Sequence, residues 1–162
     1  MKRFLICLFL ISSTLFAAES DLTFSMIKPL AVKEQHIGGI VDQIEKNSLT
    51  VVGIKMVQLT PEKAKAFYKE HEGKPFFNDL VTRMSSGPIV ALVIQGNDAV
   101  AHLRQVVGAT DPKKAAAGTI RALFGRSVTD NAIHASDSAA AAAREVPFFF
   151  TEEEIFSIPT HS

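Results

Sequence analysis

The chain predicts an α+β fold in which an antiparallel, ferredoxin-like sheet is covered by helices. Three observations predict it. Segments with strand character alternate four times with helical stretches, joined by short loops. A length of 162 residues with 47% hydrophobic content suits one packed core and no second domain. The opening order of strand, helix, strand, helix has the form of a split βαβ unit.

Leu22 to Ile27 sets Leu22, Phe24 and Met26 in alternation, the period of a half-buried strand, and stops at Lys28-Pro29. Ile37, Ile40, Val41 and Ile44 then recur at helical spacing until Asn47-Ser48 breaks the pattern, which predicts an amphipathic helix. Leu49 to Leu59 is rich in β-branched residues and closes at Thr60-Pro61, where threonine can cap a helix and proline can open it. That helix is expected from about Glu62 to His71. Beyond Gly73, Lys74-Pro75-Phe76-Phe77 leads into a short amphipathic stretch through Met84, punctuated by Ser85-Ser86-Gly87-Pro88. The near-continuous apolar run Ile89 to Ile94 suits a central strand covered on both faces. Asp98 is placed to cap a helix carrying Val100, Leu103, Val106 and Val107 on one face. Gly108 to Gly118 reads as a loop that enters a short helix at Thr119. Ala132-Ile133-His134 is a brief strand, and Ser136 or Asp137 is expected to cap an alanine-rich helix running to Glu145. The tail from Pro147, with Phe148-Phe149-Phe150 and an acidic turn, is expected to pack over the outside.

Residues 1–18 read as an address rather than as part of the fold. Lys2 and Arg3 precede the apolar run Phe4 to Phe16, and Ala17-Ala18 follow, the order of a secretory signal peptide. The run is shorter than the ~20 apolar residues that a bilayer span requires, which favours cleavage and export over a permanent anchor. The folded domain is then residues 19–162. Cys7, the only cysteine, lies in the segment to be removed, so the mature chain would have no disulfide, no cysteine nucleophile and no Cys-metal site. With no Cys-x-x-Cys pair and no His-Glu-x-x-His helix, zinc has little support. Lys plus Arg and Asp plus Glu stand at 17 each, so no net positive field draws the chain to nucleic acid or anionic lipid. Any polyanion site must be local.

The informative segment is Asn131 to Ser138, Asn-Ala-Ile-His-Ala-Ser-Asp-Ser. A lone histidine after two apolar residues is usually a satisfied core side chain. Arg104, Thr110, Arg121 and Asn131, however, fall in or beside loops that flank the same region. Together they supply the guanidinium forks and donors that phosphate oxygens require. The sequence has neither a Gly-x-x-x-x-Gly-Lys-Ser/Thr loop nor a Gly-x-Gly-x-x-Gly, so phosphates must be gripped by side chains.

Six separated motifs, Met26-Ile27-Lys28-Pro29, Lys74-Pro75-Phe76-Phe77, Ser86-Gly87-Pro88, Gly108-Ala109-Thr110-Asp111-Pro112, Gly118-Thr119-Ile120-Arg121 and Asn131 to Ser138, together closely resemble nucleoside diphosphate kinases. The resemblance runs from about Leu22 to Phe156. It implies that family's fold and transfer of the γ-phosphate of ATP to nucleoside diphosphates by a two-step, ping-pong exchange. His134 matches the catalytic histidine that carries the phosphate; Tyr68 and Ser136 match supporting residues, and Glu145 matches a carboxylate on the other ring nitrogen. Lys28 and Asn131 match residues that hold the ribose and the transferring phosphate. Arg104, Thr110 and Arg121 match contacts to the phosphate chain, and Phe76 the aromatic surface on which the base stacks. Mg²⁺ is implied as cofactor, held mainly through the nucleotide's phosphates without a dedicated protein cage. Base selectivity is expected to be low, because every base has a face to stack. The resemblance further implies a homotetramer or homohexamer, no specific nucleic-acid partner, and a cytoplasmic location. The N-terminal signal points instead to the periplasm or the outside, with no stable membrane span after cleavage.

Three residues depart from the family's pattern. Leu30 stands where many relatives carry Asp, Leu123 where many carry an acidic residue, and Ala135 replaces the usual glycine, which requires a backbone angle alanine tolerates. An active phosphotransferase is the leading reading. The alternative is an exported nucleotide- or partner-binding protein of the same fold with little turnover. His36, His71, His102 and His161 match no catalytic position and read as surface or structural.

Overall fold

The computed structural model describes residues 22–156 and 158–159, so the signal-peptide segment 1–18 and His161 lie outside the described residues. Four strands, β1 (Leu22–Ile27), β2 (Thr50–Gln58), β3 (Pro88–Gln95) and β4 (Ile133–Ala135), form one sheet in the order β2-β3-β1-β4. Every neighbouring pair is antiparallel. β1 and β2 therefore run the same way with β3 between them, the split βαβ arrangement of a ferredoxin-like fold. The helices are α1 (Pro29–Lys33), α2 (Ile37–Lys46), α3 (Pro61–Phe67), α4 (Phe77–Met84), α5 (Ala99–Val107), α6 (Ile120–Phe124) and α7 (Ala139–Phe149). Single 3₁₀ turns follow at Lys69–His71 and Glu152–Glu154. Among the described residues no helix is long and apolar enough to cross a membrane.

The sheet separates two cores. On one face α2 and α5 bring Ile40, Ile44, Leu103 and Val107 against Ile27, Leu92 and Ile94. On the other, α3, α4 and the end of α7 bring Ala64, Tyr68, Leu80, Met84 and Phe150 against Phe24, Met26 and Val93. Full burial of one such aliphatic or aromatic side chain contributes about 1.5–3 kcal/mol. This double cover explains why the apolar run of β3 is buried throughout, as its composition predicts. It also corrects the expectation for β1, which is buried on both faces, with Thr23 and Ser25 as inaccessible as Phe24 and Met26.

Local chemistry sets the element ends. Thr60 caps α3 through its hydroxyl, which accepts from the Lys63 amide at 3.2 Å, and Pro61 opens the helix. The expected helix to His71 breaks after Phe67 and continues only as a 3₁₀ turn. Pro29, read as a strand stop, also opens the short α1. Asp98 does not cap α5: its backbone is left-handed, with φ of 49°, and its carboxylate makes no capping bond. α7 is capped by Ser138, which accepts from Ala141 N at 3.1 Å, rather than by Ser136 or Asp137. It runs past Glu145 and through Pro147 to Phe149, because the aromatic residues at its end have a core to enter. The tail thus begins at Phe150, and Phe156 N reaches the Val52 carbonyl at 2.8 Å.

Candidate active site

β4 is the scaffold of the site. It lies against β1 with His134 opposite Met26, and strand alternation sends Ile133 and Ala135 into the aliphatic core and the His134 imidazole to the opposite face. The strand begins one residue later than expected because Ala132 has φ of 69° and the Ile133 amide donates to the Asn131 carbonyl at 2.9 Å. That three-residue γ-turn is strained for a residue with a Cβ, and such strain concentrates at functional sites. Its surroundings fix it: Ala132 O accepts from Lys28 N at 2.9 Å, Ile133 O from Arg121 Nη2 at 3.1 Å, and His134 O from the Ser25 hydroxyl at 2.7 Å.

The imidazole is gripped on one nitrogen. His134 Nε2 lies 2.9 Å from Glu145 Oε2, and the same oxygen accepts from the Ser136 hydroxyl at 2.5 Å. A carboxylate can only accept here, so Nε2 carries the proton and Nδ1 keeps its lone pair. Phe67, Phe24 and Tyr68 stand around the ring at centroid distances of 5.3, 6.0 and 6.1 Å. The Tyr68 hydroxyl is buried without a hydrogen-bond partner, and burial, then the charge of Glu145, push its pKa up, keeping it a proton donor.

A group of cations is tied to the backbone of the histidine strand through Arg121. Arg121 gives Nη1 to Gly108 O and Nη2 to Ile133 O, both at 3.1 Å, while its buried Nε has no partner. Burial, then the charge of Arg104, lower its guanidinium to about 10. Lys28 is held down to about 8 by burial, then by Arg121, against the opposing pull of Asp130; its ammonium donates to Thr129 O at a long 3.4 Å. None of Lys28, Arg104 and Arg121 forms an ion pair among the described residues. Three cations without an ion-pair partner among the described residues, two of them lowered by burial and by a neighbouring cation, form a place for an anion.

Asn131 completes the group. It is buried, donates Nδ2 to the Thr110 carbonyl at 3.1 Å, and leaves its side-chain oxygen unpaired, so it ties the Thr110 loop to the histidine strand. Gly108 makes that loop possible, because its φ is 84° and a Cβ there would meet Thr119 Oγ1 at 2.5 Å. Phe76, at the start of α4, is 47% exposed and so leaves an aromatic face open.

Of the residues expected from the sequence, His134, Glu145, Ser136 and Tyr68 therefore meet in one cluster, and Arg121, Asn131, Thr110 and Lys28 are joined to it through backbone bonds or charge. Arg104 is felt through Arg121, and Phe76 through His71, whose ring stands 5.6 Å from Phe76 and 6.1 Å from Tyr68. His71, read as surface or structural, lies at the site's edge. Its Nδ1 accepts from Lys74 Nζ at 3.1 Å, and burial, then Lys74, lower its pKa. Its position three residues after Tyr68 was the available signal. Phe67 and Ser25 gave none.

Two departures are accounted for. Ala135 lies in β4 and is absent from the positive-φ positions, so alanine sits there without strain. Leu30 lines a cavity of about 610 Å³ beside Lys28, together with Leu80, Arg83 and Asp130, and gives it an apolar wall. Leu123 is exposed on α6, and nothing in the structure assigns it a partner. Among the described residues no group of three or more His, Cys, Asp or Glu side chains could hold a metal ion.

Comparison with known proteins gives one answer. A family profile described as nucleoside diphosphate kinase matches residues 21–155. A nucleoside diphosphate kinase of Hydrogenovibrio crunogenus is 51% identical over 135 residues, covering 83% of this chain and 96% of that one. Among solved structures, the nucleoside diphosphate kinase of Aquifex aeolicus is similar with a TM-score of 0.81 and 42% identity, over 83% of this chain and 98% of its own. The halophilic nucleoside diphosphate kinase of Halobacterium salinarum, solved with CDP, is similar with a TM-score of 0.82 and 42% identity, over 85% and 92%.

Proposed function

The chain belongs to the nucleoside diphosphate kinase family and is a phosphotransferase of that activity, and we propose that it carries the γ-phosphoryl group between nucleotides on Nδ1 of His134. In the first half, the Nδ1 lone pair attacks the γ-phosphorus of ATP, the bond from that phosphorus to the bridging oxygen breaks, and ADP leaves. In the second, a terminal oxygen of an incoming nucleoside diphosphate attacks the same phosphorus and the N–P bond breaks, restoring neutral imidazole. The single observation that carries this reading is the bond from Nε2 to Glu145, which leaves Nδ1 bare.

The other residues act by position and charge. Phosphoryl transfer passes through a loose transition state with charge on the equatorial oxygens, so preorganised donors matter more than a strong base. Arg121 and Arg104 with Thr110 would receive the phosphate chain, Lys28 and Asn131 the ribose and the transferring group, Phe76 the base. Nε of Arg121, Oδ1 of Asn131 and the hydroxyl of Tyr68 are buried without a partner, which supports a polar ligand in their neighbourhood. Mg²⁺ fits this donor set only as an ion carried by the nucleotide, since the side chains present are cations and amides; bound there, it neutralises phosphate charge.

Two broader expectations stand as proposals. Residues 1–18 act as an export signal for a domain of residues 19–162, and the chain assembles as a homotetramer or homohexamer. On β2, an edge strand of the sheet, Ile54 and Met56 are more than half exposed, which supports assembly.

His134→Ala tests the mechanism. It is expected to lose exchange of phosphate between ATP and GDP by at least about 10⁴-fold while remaining folded. Exchange at the wild-type rate would exclude His134 as the carrier.

A further inference from the structure

Glu145 fixes the His134 ring at one point, Nε2, and a ring held at one point can still pivot about its bond to the strand. The aromatic surroundings remove that freedom. Phe67 is the nearest ring, 5.3 Å away and nearly perpendicular at 76°. It is the last residue of α3 and has neighbours of its own: Tyr68 at 4.9 Å and 86°, Phe148 at 5.4 Å, Phe149 at 5.5 Å and Phe24 at 5.7 Å. A swing of the imidazole away from Glu145 toward α3 would run into a ring that cannot yield, because four other aromatics hold it. Neither phosphate binding nor proton transfer requires Phe67.

The geometry points to Phe67 as a positioning residue for phosphoryl transfer, one that holds the His134 imidazole on Glu145 so that Nδ1 stays bare and in one orientation. The inference rests on His134 as phosphate carrier. Phe67 touches no nucleotide in this role, so its loss changes the chemical step and leaves binding alone.

The test compares Phe67→Leu with Phe149→Leu. Phe149 belongs to the same cluster, stacked on Phe24 at 5.1 Å and 4°, and pairs with Phe24, Phe67 and Phe148 but not with the imidazole. Each variant is examined by thermal unfolding, by steady-state exchange between ATP and GDP, and by ¹⁵N NMR of the imidazole. Phe67→Leu is expected to lose kcat by about ten- to a hundredfold with nucleotide KM held within about twofold. Its ¹⁵N signals are expected to move from one protonated and one bare nitrogen toward an average of the two tautomers. Phe67→Tyr, which restores the ring, is expected to recover kcat to within about threefold of wild type. Phe149→Leu is expected to lose stability but to lose kcat by no more than about threefold, with the ¹⁵N pattern near wild type, since three of the four rings that hold Phe67 remain. Should Phe67→Leu fail to fold, Phe67→Met, whose flexible side chain fills irregular gaps more readily, takes its place. Equal losses of kcat in the Phe67 and Phe149 variants, or an unchanged kcat and ¹⁵N pattern in Phe67→Leu, would overturn the clamp. Absence of phosphate on His134 in the wild-type protein exposed to ATP would instead overturn the carrier assignment, and the clamp with it.

Discussion

The two faces of the sheet are built from different materials. The α2–α5 face is aliphatic, with Ile27, Ile40, Ile44, Leu92, Ile94 and Leu103 forming its centre. The α3–α4 face adds aromatic residues to its aliphatic ones, with Phe24, Tyr68, Phe77 and Phe150 buried in it and Phe67 and Phe149 against them. The imidazole stands on the aromatic face, yet Arg104, Arg121 and the Thr110 loop come from elements that belong to the aliphatic one. In the proposed mechanism, one face holds the nucleophile in its orientation, and the other supplies the cations that would meet the substrate. β4 joins them, since its alternate side chains enter opposite faces.

This division makes separable predictions. Arg121→Ala should have the largest effect, lowering kcat/KM for nucleotide exchange by about 10²–10³-fold, because a preorganised charge near the transferring group is lost. Loss of its bonds to Gly108 and Ile133 should also lower the melting temperature. A variant with full activity would detach the cations from the chemistry. Ile44→Ala, in the middle of the aliphatic face, should cost about 2–5 kcal/mol of stability in denaturant titration. Activity per folded molecule should be unchanged, and a drop in kcat would mean that the face does more than support.

A subtler effect concerns Lys28. Burial and Arg121 hold its folded pKa near about 8, below its ordinary 10.5. Between those values the unfolded chain keeps a proton that the folded chain releases, so this residue's contribution to stability improves as pH rises from about 8 and is at its most unfavourable below it. Function runs the opposite way, since phosphate needs the ammonium. The pH profile of kcat/KM should therefore fall by several-fold above about pH 8. Lys28→Met should lack that limb, and a wild-type profile flat to higher pH would detach Lys28 from the substrate.

Much of this was legible in the sequence, for physical reasons that differ by residue. The run Ile89–Ile94 announced a doubly covered strand because no polar residue interrupts it, whereas β1 hid its second buried face behind Thr23 and Ser25. The meeting of His134, Glu145, Ser136 and Tyr68 was legible through motifs that keep their spacing. The helix cap was not: Ser136, Asp137 and Ser138 are chemically interchangeable as caps, and the choice falls to Ser138 because the Ser136 hydroxyl is spent on Glu145. The start of β4 shifted because the turn at Ala132 is enforced from outside by Lys28 and Arg121. Phe67 had no signature, since ring contact with His134 exists only after two distant segments fold together.

The central claim is tested most directly by incubating the protein with γ-labelled ATP and locating the label by peptide mapping. The account predicts an acid-labile, base-stable phosphate on His134 alone, discharged on adding GDP. An acid-stable label on another residue, or phosphate exchange without any labelled intermediate, would contradict it.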